Sequence, residues 1–206
     1  MAPMGMRRYV RPMMNSVRKV FPSGYFFALY NNASKRISAQ AGERDRAFAA
    51  FLSRSEGKHC LQISVKDEIG HKFGSNWVSV DKYDDRAFID RHDDVENLEF
   101  PDGSFDAAVC WSVLEHVPHP DRAIAELLRV LKPGGEIWVQ LPFLFPYHES
   151  PRDYWRVTPD GLRLWMSDFD EIACACDYWA GTKLVAATYF YGTKATGLPG
   201  SPGEGP

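Results

Sequence analysis

The chain has 206 residues, 45% of them apolar, enough to bury the core of one domain and leave tails over. Its formal net charge of −3 sets up no global field that would recruit nucleic acid. No apolar run approaches the roughly 20 residues that span a bilayer, and no apolar core leads from the basic N-terminus to a small-residue cleavage site, so a cytoplasmic protein is expected.

Residues 1–42 form a basic, aromatic-rich N-terminal extension, with seven Lys or Arg, no Asp or Glu, and Phe21, Tyr25, Phe26, Phe27 and Tyr30. Two readings fit. The extension packs its aromatics on the domain, or it makes peripheral contact with a membrane surface. Residues 43–196 carry a βα alternation. Residues 44–54 (RDRAFAAFLSR) predict an amphipathic helix, His59–Val65 a first strand, and Trp77–Val80 a second strand ending at Asp81. Phe105–Trp111 (FDAAVCW) is nearly continuous in apolar residues, as a strand covered on both faces is. Pro120–Leu131 predicts a helix with Ala123, Leu127, Val130 and Leu131 on one stripe, stopped by Lys132-Pro133-Gly134-Gly135. Glu136–Leu141 is the next strand. Thr158–Met166 opens a helix with Thr as N-cap and Pro at its first position. Phe169–Cys176 is a further strand and Leu184–Tyr191 is apolar enough for one more, so a reduced final hairpin is expected, with an edge that a homodimer partner would cover. Residues 197–206 are Pro/Gly-rich and expected to be disordered. Strands separated by helices imply an α/β fold with a mostly parallel central sheet. Cys60, Cys110, Cys174 and Cys176 lack paired metal spacing and read as buried thiols in a reducing compartment.

From Asp94 to Pro142 the segment DVENLEFPDGSFDAAVCWSVLEHVPHPDRAIAELLRVLKPGGEIWVQLP resembles the class I S-adenosylmethionine-dependent methyltransferases, of the type 11-like kind. The acidic residue before an apolar-Pro-Asp turn, the FD opening a buried strand, LEHV, RVLKPGG and the following strand stand in that family's order. The resemblance implies a Rossmann-like three-layer sandwich, S-adenosylmethionine as cofactor, and ligands beyond the carboxyl ends of the strands. It also implies that Asp81 grips the ribose diol and that Asp94, or Asp93 beside it, meets the adenine amino group, with Trp111 in the same set.

The first βα turn departs from the family pattern. Gln62 stands where the family has an acid, and Ser64, Lys66 and Glu68 stand where it has glycines. Lys66 sets a cation near a sulfonium unless it points away, and Asp67 or Glu68 can compensate by holding the donor's ammonium group.

Acceptor recognition is expected in two carboxyl-end stretches. Glu115 and His116 follow the Phe105–Trp111 strand. After the next strand come Tyr147, His148, Glu149, Arg152, Asp153, Tyr154, Trp155 and Arg156. His148 is the candidate base, with His116 its rival. Tyr147, Glu149, Arg152, Asp153, Tyr154 and Trp155 are the candidate acceptor-binding residues. The arginines suit an acidic group and the aromatics a sugar or ring. A local ion pair between Arg152 and Asp153, with the aromatics capping the core, is the structural alternative for the same stretch. The expected acceptor is a small molecule or glycan, not nucleic acid. Glu115, His116, His119 and Asp121 lie close in sequence, but LEHV matches the family without metal, so no metal site is expected. A non-catalytic binding or partner module on the same fold is the second reading, and the missing glycines favour it.

Overall fold

The computed structural model describes residues 41–65, 72–149, 151–178 and 184–196. The 1–42 extension (but for its last two residues), the Lys66–Gly70 part of the first turn, and the 197–206 tail lie outside the described residues. Among the described residues, three α-helices, α1 (Ala41–Arg54), α2 (Pro120–Val130) and α3 (Pro159–Trp165), accompany six strands. These are β1 (Cys60–Ile63), β2 (Trp77–Val80), β3 (Phe105–Trp111), β4 (Leu131–Pro142), β5 (Phe169–Tyr178) and β6 (Val185–Lys194). One sheet has the order β2-β1-β3-β4-β6-β5, and β6 alone runs against the others. The arrangement is the expected three-layer α/β sandwich.

Both faces of the sheet are covered, which is why β1 is buried at every position. One face is aliphatic and lies under α2 and α3, with Leu61, Ile63, Ala108, Leu127, Ile137 and Leu162 in its core. The other is aromatic. Phe48 and Phe51 of α1 pack on Trp77, Trp138 and Tyr191, and Trp138 stacks on Tyr189 at 5.2 Å. Arg54 at the end of α1 donates to Glu136 at 3.0 Å, tying that helix to β4.

Local sequence explains the element ends. Thr158 caps α3, its hydroxyl accepting from Gly161 N–H at 3.2 Å, with Pro159 following. The Lys132–Gly135 stretch departs from the expected helix stop. Helix α2 ends at Val130, and the chain enters β4 at once. Phe105 pairs with Leu131 and Ala107 with Glu136, so the residues between are extruded as a bulge. Gly134 there has φ +76°, and a Cβ on Gly135 would lie 2.8 Å from the Lys132 carbonyl. Asp106 fixes the entry of β3, accepting from His59 N–H at 3.0 Å and Lys132 Nζ at 2.7 Å. The expected reduction of the final hairpin is wrong: β5 and β6 are ten residues each and pair along their length. The argument for a partner on a truncated edge therefore falls away. The outer strand β5 is itself interrupted by two register shifts, a device that blunts strand edges.

Candidate active site

Beyond β1 and β2 the chain turns through unusual backbone. Ser64, one residue past β1, has φ +61°, and Ser112, one residue past β3, has φ +56°. L-residues pay about 1 kcal/mol or more for that conformation. Ser64 thus takes up the backbone geometry glycine favours, at a position where glycine was missed. Its N–H continues the ladder to Val80 O at 2.7 Å, and Ser112 N–H does the same to Gln140 O at 2.8 Å. The two bends stand at the crest of adjacent strands.

Asp81 closes β2. Its Oδ1 accepts from Tyr83 N–H at 2.9 Å and Asp84 N–H at 3.0 Å, which fixes the carboxylate at the strand tip and leaves Oδ2 for a ligand among the described residues. Asp94 accepts from Lys82 Nζ at 2.5 Å and Glu96 N–H at 3.0 Å. Burial alone would raise its carboxyl, but those two bonds outweigh it and hold it below the usual range. Asp93 is paired with Arg91 at 3.1 Å. Gln62 is buried, its amide oxygen accepting from Phe73 N–H at 3.1 Å. Trp111 packs edge-on against Phe48 of α1, with ring centroids 4.9 Å apart. A tip carboxylate beside two left-handed bends fits the expected nucleoside donor.

Beyond β3 and β4 the site is made of side chains. A 3-10 turn, Leu114–His116, follows β3 directly. The 151–157 segment folds back on it: Tyr154 N–H donates to Glu115 O at 2.7 Å, and Trp155 Nε1 to Val117 O at 2.8 Å. His116 and His148 thereby meet edge-to-face, with centroids 4.8 Å apart. Glu115 is completely buried between them, its Oε1 lying 3.7 Å from His116 Nε2 and 4.0 Å from His148 Nε2. His116 Nδ1 lies 2.5 Å from Arg152 O, and His148 Nδ1 lies 3.2 Å from both Pro146 O and Asp153 Oδ2. Burial pushes both imidazoles below their ordinary pKa, and for His148 the neighbouring His116 adds to it.

Asp153 is buried at its carboxylate. It binds Arg156 at 2.6 and 2.7 Å and accepts from His148 N–H at 2.9 Å. The local ion pair of this loop is therefore Asp153–Arg156. Arg152 contributes its carbonyl to His116, and its side chain is exposed. Phe145, Tyr147, Asp153, Tyr154 and Arg156 line a cavity of about 310 Å³ beside His148. Tyr147 and Tyr154 are more than half exposed or nearly so, at 64% and 50%, and Tyr147 OH donates to Glu149 at 3.1 Å. Trp155 rests against Trp165 of α3 with its ring edge partly exposed.

The structure thus brings His116, His148, Asp153, Tyr147, Tyr154 and Arg156 together, and sets Asp81, Ser64 and Asp94 at the neighbouring crest. Glu115 is the residue whose weight the sequence hides, because LEHV reads as a family signature. Its signal was an acid next to a histidine just past a buried strand.

Residues 71–139 match a family described as a methyltransferase domain. The chain is 31% identical over 183 residues to the ubiquinone/menaquinone biosynthesis C-methyltransferase UbiE of Bartonella bacilliformis, covering 78% of this chain and 68% of that one. It spans less than half the length of several other curated relatives that it matches. A crystal structure of the Burkholderia thailandensis 1,6-didemethyltoxoflavin-N1-methyltransferase, with that compound and S-adenosylhomocysteine bound, aligns at TM-score 0.54 and 14% identity, covering 95% of this chain and 93% of that one. The [4+2]-cyclase SpnF aligns at TM-score 0.54 and 18% identity over 79% of this chain and 84% of its own. Likenesses this distant speak for the fold alone.

Proposed function

This chain belongs to the class I S-adenosylmethionine-dependent methyltransferase family, and from that premise we propose that it moves a methyl group to a small-molecule or glycan-type acceptor seated beyond β3 and β4. The observation that carries the reading is the convergence of Glu115, His116 and His148 beside an aromatic-lined cavity at the sheet's carboxyl end. Bound S-adenosylmethionine supplies a methyl group already activated on a sulfonium. Asp81 holds the ribose diol through Oδ2 while Oδ1 keeps its turn. Asp94, steadied by Lys82, and Trp111 flank the nucleoside, and the bends at Ser64 and Ser112 let main chain pass close to it.

On the acceptor side, Tyr147, Tyr154 and Trp155 offer ring faces and edges, while Glu149 and Arg152 offer polar ends. His148 takes the proton of the acceptor's nucleophile at Nε2, its ring oriented by Asp153 through Nδ1, with His116 alongside. The relative named for quinone C-methylation supports a ring-shaped acceptor. No described helix is long and apolar enough to cross a membrane. Membrane contact by residues 1–42 is tested by liposome flotation with and without that segment.

The test is incubation of the full chain with S-adenosylmethionine and a panel of quinols, phenols, ring nitrogens and sugars, read by mass spectrometry. One acceptor class should gain a methyl, and His148→Ala should abolish the gain. No gain with any class, together with no donor binding, would leave the non-catalytic binding module as the reading.

A further inference from the structure

We propose that Glu115, His116 and His148 form a binding site for one divalent cation of the zinc class, next to the acceptor cavity. One ligand atom from each of the three lies within 4.8 Å of the others, and Glu115 Oε1 stands 3.7 Å from His116 Nε2 and 4.0 Å from His148 Nε2. The 3.7 and 4.0 Å separations are too long for hydrogen bonds, which fall at about 2.7–3.2 Å. Neighbouring ligands of an ion held at about 2.1 Å stand roughly 3.0–3.5 Å apart. Closing by about 0.5 Å at Glu115, and by up to about 1.5 Å between the imidazoles, turns this cluster into a coordination sphere.

The tautomers agree. His116 Nδ1 faces the Arg152 carbonyl at 2.5 Å, and a carbonyl only accepts, so the ring proton sits on Nδ1 and the lone pair on Nε2. His148 Nδ1 faces two further acceptors, the Pro146 carbonyl and the Asp153 carboxylate, each at 3.2 Å. Backbone carbonyls and a carboxylate behind Nδ1 are the outer partners that metal-bound histidines carry. Two imidazole lone pairs and a carboxylate oxygen then face one another in a buried place, a donor set that fits a divalent cation. Arg156 is turned toward Asp153, at 2.6 and 2.7 Å.

Two imidazoles and one carboxylate suit Zn²⁺, Fe²⁺ or Co²⁺ over the oxygen-preferring Mg²⁺ and Ca²⁺. Phe145 and Asp153 touch His148 and also line the cavity, so the cluster adjoins the acceptor site. With the cation bound, His148 Nε2 is a ligand and no longer a base; the cation would instead act as a Lewis acid on an acceptor oxygen, acidifying it so that its proton leaves to solvent. That use of the ion rests on the methyl-transfer reading; the binding of the ion does not.

The test strips the full chain with a chelator and titrates Co²⁺ alone. A visible d–d band should saturate at one Co²⁺ per chain, be displaced by Zn²⁺, and show imidazole scattering in X-ray absorption. His116→Ala and His148→Ala should each weaken binding about 100-fold, and Asp153→Asn about 10-fold, with circular dichroism unchanged. No saturable band from the wild-type chain, an absorption spectrum without imidazole, or folded variants that bind as tightly as wild type would overturn the site. S-adenosylhomocysteine titration of the same samples separates the two ideas. Lost metal with intact donor binding removes only the cation, and lost donor binding with intact metal removes only the methyl-transfer reading.

Discussion

At the ends of β1 and β2 the chain is shaped by its backbone: Ser64 bends at φ +61°, and Asp81 is set by the N–H groups of Tyr83 and Asp84. At the ends of β3 and β4 the shape comes from side chains converging from two loops, with Glu115 buried between His116 and His148 and Asp153 behind. A backbone device survives exchange of the residue that adopts it, which is how a turn stripped of its glycines can keep its geometry. A convergent cluster does not survive exchange. Substitutions at the first end should have graded effects, and at the second, all-or-none effects.

The largest effect tests the second end. His148→Ala or Glu115→Gln should cut turnover by about 10²–10⁴-fold while S-adenosylhomocysteine binds as before by calorimetry; equal losses in both would merge the two ends. Next, Asp81→Asn preserves the turn but removes the charge facing the diol. It should weaken donor binding by about 10–100-fold, the range for hydrogen bonds to a charged group, with little change in thermal midpoint. At Ser64 the effect is smaller and has a sign. Ser64→Val should cost about 1–2 kcal/mol in denaturant unfolding, because a β-branched residue resists positive φ, and Ser64→Gly should be tolerated with donor affinity kept.

The smallest effect is a control away from both ends. Burial would raise the Asp106 carboxyl, but Lys132 and His59 N–H hold it below the usual range. Its contribution is therefore present above the unfolded value of about 3.9 and lost as pH falls through the lower folded value. Asp106→Asn should flatten the acid limb of stability between pH 5 and lower values, by roughly 1 kcal/mol or less for a half-exposed pair, without touching donor binding.

What the sequence made legible was local. Phe105-Asp106, the α2 stripe, the Thr158 cap and the tip position of Asp81 each depend on neighbours a few residues away, and each appears where expected. The Lys132–Gly135 bulge was hidden because a helix stop and a bulge use the same Pro-Gly chemistry; only the β3 register separates them. The full β5–β6 hairpin was hidden because its residues alternate weakly until paired. Glu115 with His148 was hidden because their meeting depends on Tyr154 and Trp155 N–H groups docking on the Glu115 carbonyl, a contact no spacing rule encodes. Asp153 chose Arg156 over its neighbour Arg152 because the turn sets a three-residue reach.

Calorimetric titration of the wild-type chain with S-adenosylmethionine is the most direct measurement. Left-handed bends at Ser64 and Ser112, with the Asp81 carboxylate at the neighbouring strand tip, predict saturable binding of one donor per chain. No heat at millimolar donor would contradict it.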